Sequence, residues 1–151
     1  MAERFILNFI EDDRWKYITD GLAATLEITF VAVVIGIVLG FLVAIVRATY
    51  DKTGKLKILN FICNVYLTVF RGTPVVVQLM IIYFIVFASV DVSKVFVAIV
   101  AFGINSGAYV AEIIRGGIMS IDDGQFEAGR SLGFNYIQTM RYIILPQVFK
   151  N

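Results

Sequence analysis

The 151-residue chain contains no histidine, one cysteine and two prolines, and only 17% of its residues are charged. Each scarcity excludes something. Without histidine, an imidazole acid–base pair and a His-based metal site are ruled out. A single cysteine, Cys63, cannot form a disulfide within the chain, and its place in an apolar run suits a buried, inert thiol. Low charge is matched by a hydrophobic content of 59%, above the roughly 45–50% apolar residues of soluble domains, so lipid is the expected solvent. The net charge of +1 says little about partners. Its distribution says more.

The first twenty residues carry five acids, including Glu11, Asp12 and Asp13, against three bases. A secretory signal would begin with a basic region ahead of a short apolar core, so no cleaved leader is expected and residues 1–21 are read as an extracytoplasmic segment. Residues 22–46 form the clearest span, with Glu27 their one charge; about 20 apolar residues cross a hydrocarbon core. Glu27 lies near the start of that span and is assigned no function. Ala32, Gly36, Gly40 and Ala44 recur every fourth position. That ladder admits a second helix at close range, or else belongs to a glycine-rich helix facing lipid.

Residues 47–57 read as a loop with four bases (Arg47, Lys52, Lys55, Lys57) and one acid, Asp51. Lys and Arg enrich cytoplasmic loops, which places this loop inside and the N-terminus outside. Residues 58–90 are apolar but broken at Arg71-Gly72-Thr73-Pro74. Proline removes a backbone donor and kinks a helix. One long kinked helix is expected there, with two re-entrant pieces as the alternative. Arg71 is expected to snorkel or to bind carbonyls freed at the break. After a short outside turn at 91–94, residues 95–115 make a third span, with small residues at Gly103, Gly107 and Ala111, ended by Arg115 and Gly116-Gly117. Asn105, Tyr109 and Glu112 fall on one helical face. A carboxylate within a span is costly and faces a partner or water. Glu112 therefore either meets a substrate or pairs with Arg115 three residues on. Residues 116–151 are then cytoplasmic. Residues 125–132 read as a short helix closed by a left-handed Gly133. Asn135 opens a second, which Pro146 stops or kinks. An ordinary interfacial helix is the alternative.

Glu127-Ala128-Gly129, Gly133 and Ile143-x-Leu145-Pro146 match, position for position, the E-A-A-x3-G-x9-I-x-L-P pattern of ATP-binding-cassette importer permeases. Gly129 for the third-position alanine is the one departure. Arg71-Gly72-Thr73-Pro74 with Gln78, and Asn105-Ser106-x-Ala108-Tyr109-x-x-Glu112-x-x-Arg115, resemble two segments of the polar amino-acid (His/Gln/Arg/Glu type) permeases in that class. The resemblance implies an all-α membrane fold: three spans, the second long and kinked, plus cytoplasmic coupling helices, making the N-terminal part of a five-helix permease. It implies a chain that stops before the last two helices, so the transport competence of this piece is left open. It also implies a permease dimer, homo- or heteromeric, in the plasma membrane. Partner ATPase subunits would dock on Glu127, Ala128, Gly129, Gly133, Ile143, Leu145 and Pro146. An extracytoplasmic solute-binding protein would deliver the amino acid, and Asn105, Ser106, Tyr109 and Glu112 are candidates for its path. No catalytic residue, metal, cofactor or nucleic-acid partner is expected. No G-x4-G-K-[ST] phosphate loop is present, so ATP chemistry belongs to the partner. The rival is a non-transporting membrane scaffold or assembly subunit.

The topology predicts that a cysteine placed at Asp91 reacts with an impermeant reagent added outside the cell, and one placed at Lys55 does not. Labelling at 55 without labelling at 91 overturns the orientation.

Overall fold

The structure is a computed structural model and describes residues 13–150. The Glu11-Asp12 pair and most of the acidic N-terminal segment lie outside the described residues. Every regular element among those described is helical. They are α1 (Trp15–Thr53), α2 (Lys57–Gly72), α3 (Val75–Ile81, prolonged by a π-helical turn Ile82–Val86) and α4 (Lys94–Met119). Three short helices follow: α5 (Asp123–Ser131), α6 (Tyr136–Thr139, prolonged by a π-helical turn Met140–Ile144) and α7 (Leu145–Val148).

α1 exceeds the span expected from hydropathy at both ends. Its 39 residues make a rod of about 58 Å at 1.5 Å per residue, longer than a hydrocarbon core of about 30 Å. The expected basic loop is mostly helix. Residues 47–53 contain no glycine or proline, so nothing stops α1 before Gly54. That residue takes φ 69° and donates its N–H to the Tyr50 carbonyl, a left-handed cap. α4 likewise runs through Gly116-Gly117 to Met119. The glycine pair does not end the helix; a Cβ on Gly117 would lie 2.9 Å from Val148 Cγ1, so the missing side chain gives α7 its seat.

α1 and α4 form the main packing. The residues α1 buries include the whole ladder Ala32, Gly36, Gly40 and Ala44, continued by Ala48. Facing them α4 buries Gly103, Gly107, Ala108 and Ala111. The ladder is therefore a helix–helix seam and not a lipid face. At Gly40 an added Cβ would sit 2.7 Å from Val110 Cβ and 2.9 Å from the Ala111 backbone nitrogen. Backbones this close gain dispersion along the whole seam, which is how helices associate where lipid removes the hydrophobic drive. Val43 and Leu67 complete a small core with Ala108 and Ala111. The Tyr66 hydroxyl fixes α2 to α4 by donating to the Ile104 carbonyl at 2.5 Å.

The break at Gly72–Pro74 is sharper than a kink. The chain direction bends by 109° between α2 and the α3 arm, making a corner of two arms. Two helices, α1 and α4, are long and apolar enough to cross a membrane, and a third crossing is counted if the bent pair is one span.

Gly40→Val should lower stability by about 1–3 kcal/mol through overpacking, read as a lower melting temperature in detergent. Gly21→Val is the control, since nothing lies within 4 Å of a Cβ there. Equal melting of the two variants refutes the seam.

Candidate functional site

The first site is a hairpin of short helices. Asp122 opens α5, its carboxylate accepting the Gly124 N–H at 2.7 Å. The helix closes on Gly133, at φ 80°. Phe134 N–H donates to Gly129 O at 3.0 Å and Gly133 N–H to Arg130 O at 2.9 Å. These two bonds make a Schellman cap, as the glycine position predicts. Asn135 then caps α6: its side chain accepts from Gln138 N–H, and the Gln138 side chain accepts from Asn135 N–H, both at 2.9 Å. This reciprocal capping box needs a cap residue and a Gln or Glu three residues on.

Pro146 does not stop the second helix. The preceding turn widens so that Leu145 N–H reaches Met140 O, and the chain stays helical to Val148. A π-turn relieves the clash that a proline ring makes inside regular α-helix.

Phe126, Met140 and Ile144 of the hairpin are buried against Ala48 of α1 and against Ile118 and Ile121 at the end of α4. Ile143 and Leu145 pack on the same cluster. Glu127 and Ala128 are exposed and Gly129 is buried. A Cβ on Gly129 would lie 2.7 Å from Thr139 Cγ2 and Oγ1. The departure from the E-A-A pattern thus has a local cause: Thr139 of α6 occupies the room an alanine methyl would need. Lys52, at the base of α1, ion-pairs with Asp123 and lies 4.8 Å over the Phe126 ring. Its side chain is only 15% exposed. The hairpin is thereby fixed to α1 by an apolar core and one charged clamp.

The second site lies where α1, the α2–α3 corner and α4 meet. Glu112 Oε1 accepts from Arg115 Nη2 at 2.7 Å and Nε at 3.3 Å. Glu112 Oε2 is 3.2 Å from Arg71 Nη1 and 3.6 Å from Arg47 Nη1. Arg115 Nη1 also donates to Asp51 Oδ2 at 2.9 Å. Three guanidiniums thus share two carboxylates, and Glu112 is 27% exposed. Both alternatives for Glu112 are narrowed: the Arg115 pair forms, and two further arginines complete the shell. Its carboxylate has no oxygen left without a cation.

Asn105 and Gln78 are similarly engaged. The Gln78 amide donates to Phe70 O and Thr73 O at 2.9 Å and to Thr73 Oγ1 at 2.7 Å. Its oxygen accepts from the Asn105 amide at 2.9 Å. Carbonyls freed by Pro74 must be satisfied away from water, and Gln78 does this. The expectation that Arg71 binds them is corrected. Arg71 turns instead to Glu112 and lies 5.9 Å from the Tyr109 ring centre, a cation–π distance. Gly72, Thr73 and Pro74 form the exposed corner itself. The one face shared by Asn105, Tyr109 and Glu112 is therefore the face α4 turns to the corner. Ser106 and Tyr109, with Asn105, also line a half-open cavity of about 530 Å³ against Thr25 and Thr29 of α1. Among the described residues no group of His, Cys, Asp and Glu could hold a metal ion.

Residues 36–151 match the sequence profile of the binding-protein-dependent transport system inner membrane components. The chain belongs to this family. It is 42% identical over 137 residues to the arginine transport system permease protein ArtQ of Bacillus subtilis (strain 168), covering 89% of this chain and 60% of ArtQ. A crystal structure of an amino acid ABC transporter with histidines has a chain 38% identical to it, with a TM-score of 0.74, covering 89% of this chain and 63% of that one. The inward-facing MetNI methionine ABC transporter shares the fold at 23% identity, with a TM-score of 0.73 and 93% and 66% coverage. The chain thus spans about three-fifths of the ArtQ length. As a member of this family, with helices long enough to cross a bilayer, it is an integral membrane protein.

Sequence reasoning missed three partners of the inner-membrane-component motifs: Arg47 and Asp51 in the arginine cluster, and Lys52 on the hairpin. All three lie in the stretch read as a loop. Extending α1 to Gly54, the first helix-ending residue after Gly40, would have put Arg47 and Asp51 four apart on one face.

Replacing Glu112 by Gln leaves Arg47 and Arg71 without their carboxylate partner and Arg115 with Asp51 alone. We expect a loss of about 1–3 kcal/mol, the scale of hydrogen bonds to charged groups, seen as a lower melting temperature in detergent. Adding Arg71→Gln should recover part of it. If the double variant is less stable than Glu112→Gln, the cluster is not charge-balanced as described.

Proposed function

We propose that this chain acts as a membrane permease subunit of an ATP-binding-cassette importer for polar amino acids, coupled to a partner ATPase through the hairpin of α5 to α7. The observation that carries the reading is the mechanical build of that hairpin. Two short helices are locked at Gly133 by a Schellman cap and a capping box. They are seated on the bases of α1 and α4 at once. A push on α5 therefore moves both long helices together, as a transport stroke requires. The resemblance of this chain to ArtQ and to an amino acid ABC transporter supports the substrate class.

In this reading three spans, at about 22–46, 58–90 and 95–115, leave the N-terminus outside the plasma membrane and residues 116–151 in the cytoplasm. A second permease subunit completes the pore, an extracytoplasmic solute-binding protein supplies the amino acid, and ATP hydrolysis stays with the ATPase. Ser106 and Tyr109 are the best-placed residues for the substrate path, because the Asn105 amide and the Glu112 carboxylate are engaged at the corner. Glu112 then acts by holding α4 to the corner, through Arg71, while the cavity beside Tyr109 changes shape.

Gly133→Val tests the coupling. A β-branched residue in a left-handed cap costs about 1–2 kcal/mol or more, while the spans are untouched. The variant should insert in the membrane normally, co-purify with less ATPase and uncouple hydrolysis from uptake. Undiminished co-purification with normal uptake refutes the hairpin as the docking knob.

A further inference from the structure

A second cavity, of about 770 Å³, lies between α1 and the α6–α7 arm. Its wall is mostly apolar, with Phe41 and Ile45 of α1, Leu56 after the cap, and Ile137, Met140 and Leu145; Thr49, Thr53, Asn135 and Tyr136 also line it. Two cations stand on it, Lys55 and Arg141. Both are exposed, and among the described residues neither side chain has a carboxylate partner. Arg141 lies 5.6 Å from the Tyr142 ring centre, a contact that leaves its guanidinium protons free. By contrast Arg47, Lys52, Arg71 and Arg115 are all paired with carboxylates.

We propose that this groove is a binding site for an anionic phospholipid, which lays an acyl chain along Phe41, Ile45 and Met140 and its headgroup phosphate between Lys55 and Arg141. Three observations converge. The groove runs from Lys55 and Leu56, just past the α1 cap, along α1 to Phe41, and so from the basic end of that helix into its apolar stretch. Its wall suits a chain with no hydrogen-bonding groups. Its rim carries two positive charges without carboxylate partners among the described residues, and, on the topology proposed above, these lie at the cytoplasmic face, where basic pockets between helices take anionic headgroups. The bound lipid would brace α6 against α1 beside the Lys52–Asp123 clamp, adding a second tie between the hairpin and α1. The proposal rests on the topology given under Proposed function, not on transport.

The test is native mass spectrometry of the full 151-residue chain, purified in detergent and re-supplied with matched-chain phosphatidylglycerol or phosphatidylethanolamine. Each cation near a membrane surface adds about fivefold to anionic binding, so the wild type should retain phosphatidylglycerol on the order of twenty-fold better. Lys55→Gln/Arg141→Gln should bring that ratio near unity without moving the melting temperature measured in detergent alone. Lys94→Gln, at the opposite end of α4, should leave the ratio unchanged. Equal retention of both lipids by the wild type overturns the proposal. So does an equal loss in Lys94→Gln, which would mean diffuse charge attraction, or displacement of the lipid by excess inorganic phosphate, which would mean an anion site without a chain-binding groove. Concentration-dependent dimers that are blind to headgroup charge would seat a second copy there and overturn it as well.

Discussion

The close approach of α1 and α4 sets the rest of the molecule. In lipid there is no hydrophobic gain from bringing two apolar helices together, so the seam must be tight enough for dispersion alone to hold it. Gly36, Gly40, Ala44 and Ala48 on one side, and Gly103, Gly107 and Ala111 on the other, make that possible. A tight seam fixes relative height as well as distance. It sets Arg47 and Asp51 of α1 level with Glu112 and Arg115 of α4, and Ala48 level with Ile118. The charged cluster and the floor under the hairpin both follow from it.

Polar groups near the membrane then arrange themselves by the cost of being left alone. Pro74 ends α2 and frees carbonyls in an apolar setting. Gln78, one turn into α3, returns to cover Phe70 O and Thr73 O. Once it has done so its own oxygen needs a donor, and Asn105 supplies it from α4. Glu112 is subject to the same logic with a full charge, and three arginines answer it. The two motif segments are thus not separate features. The residues of the Arg71–Gln78 corner and those of the Asn105–Arg115 face satisfy one another.

This division of labour separates the parts that hold from the parts free to act. Side chains that look suited to a substrate, the Asn105 amide and the Glu112 carboxylate, are spent on architecture. Ser106 and Tyr109 remain beside open space. In the hairpin, Phe126, Gly129, Thr139 and Ile144 are buried in packing, while Glu127, Ala128, Leu132 and Ile137 are exposed. That exposed rim on a capped hairpin is what the docking role proposed above would use.

Much of this was legible from sequence because it depends on local chemistry. A left-handed helix end favours glycine, hence Gly133. A helix opens on a capping side chain, hence Asn135, though its reciprocal partner Gln138 came only with the structure. A proline after a long apolar run breaks it, hence the corner at Pro74. Small residues every fourth position leave room for a partner, hence the ladder. The extent of α1 and α4 was misjudged because hydropathy reports depth in lipid, whereas a helix continues until a residue ends it. Only the tertiary structure decided which groups meet. Nothing in the order of residues says that Lys52 reaches Asp123, that Thr139 fills the place of a methyl on residue 129, or that Gln78 instead of Arg71 covers the freed carbonyls. Such pairings depend on the angle at the corner and on the register of α1 against α4. Both are set by the sum of many weak contacts between distant segments, and no single residue encodes that sum.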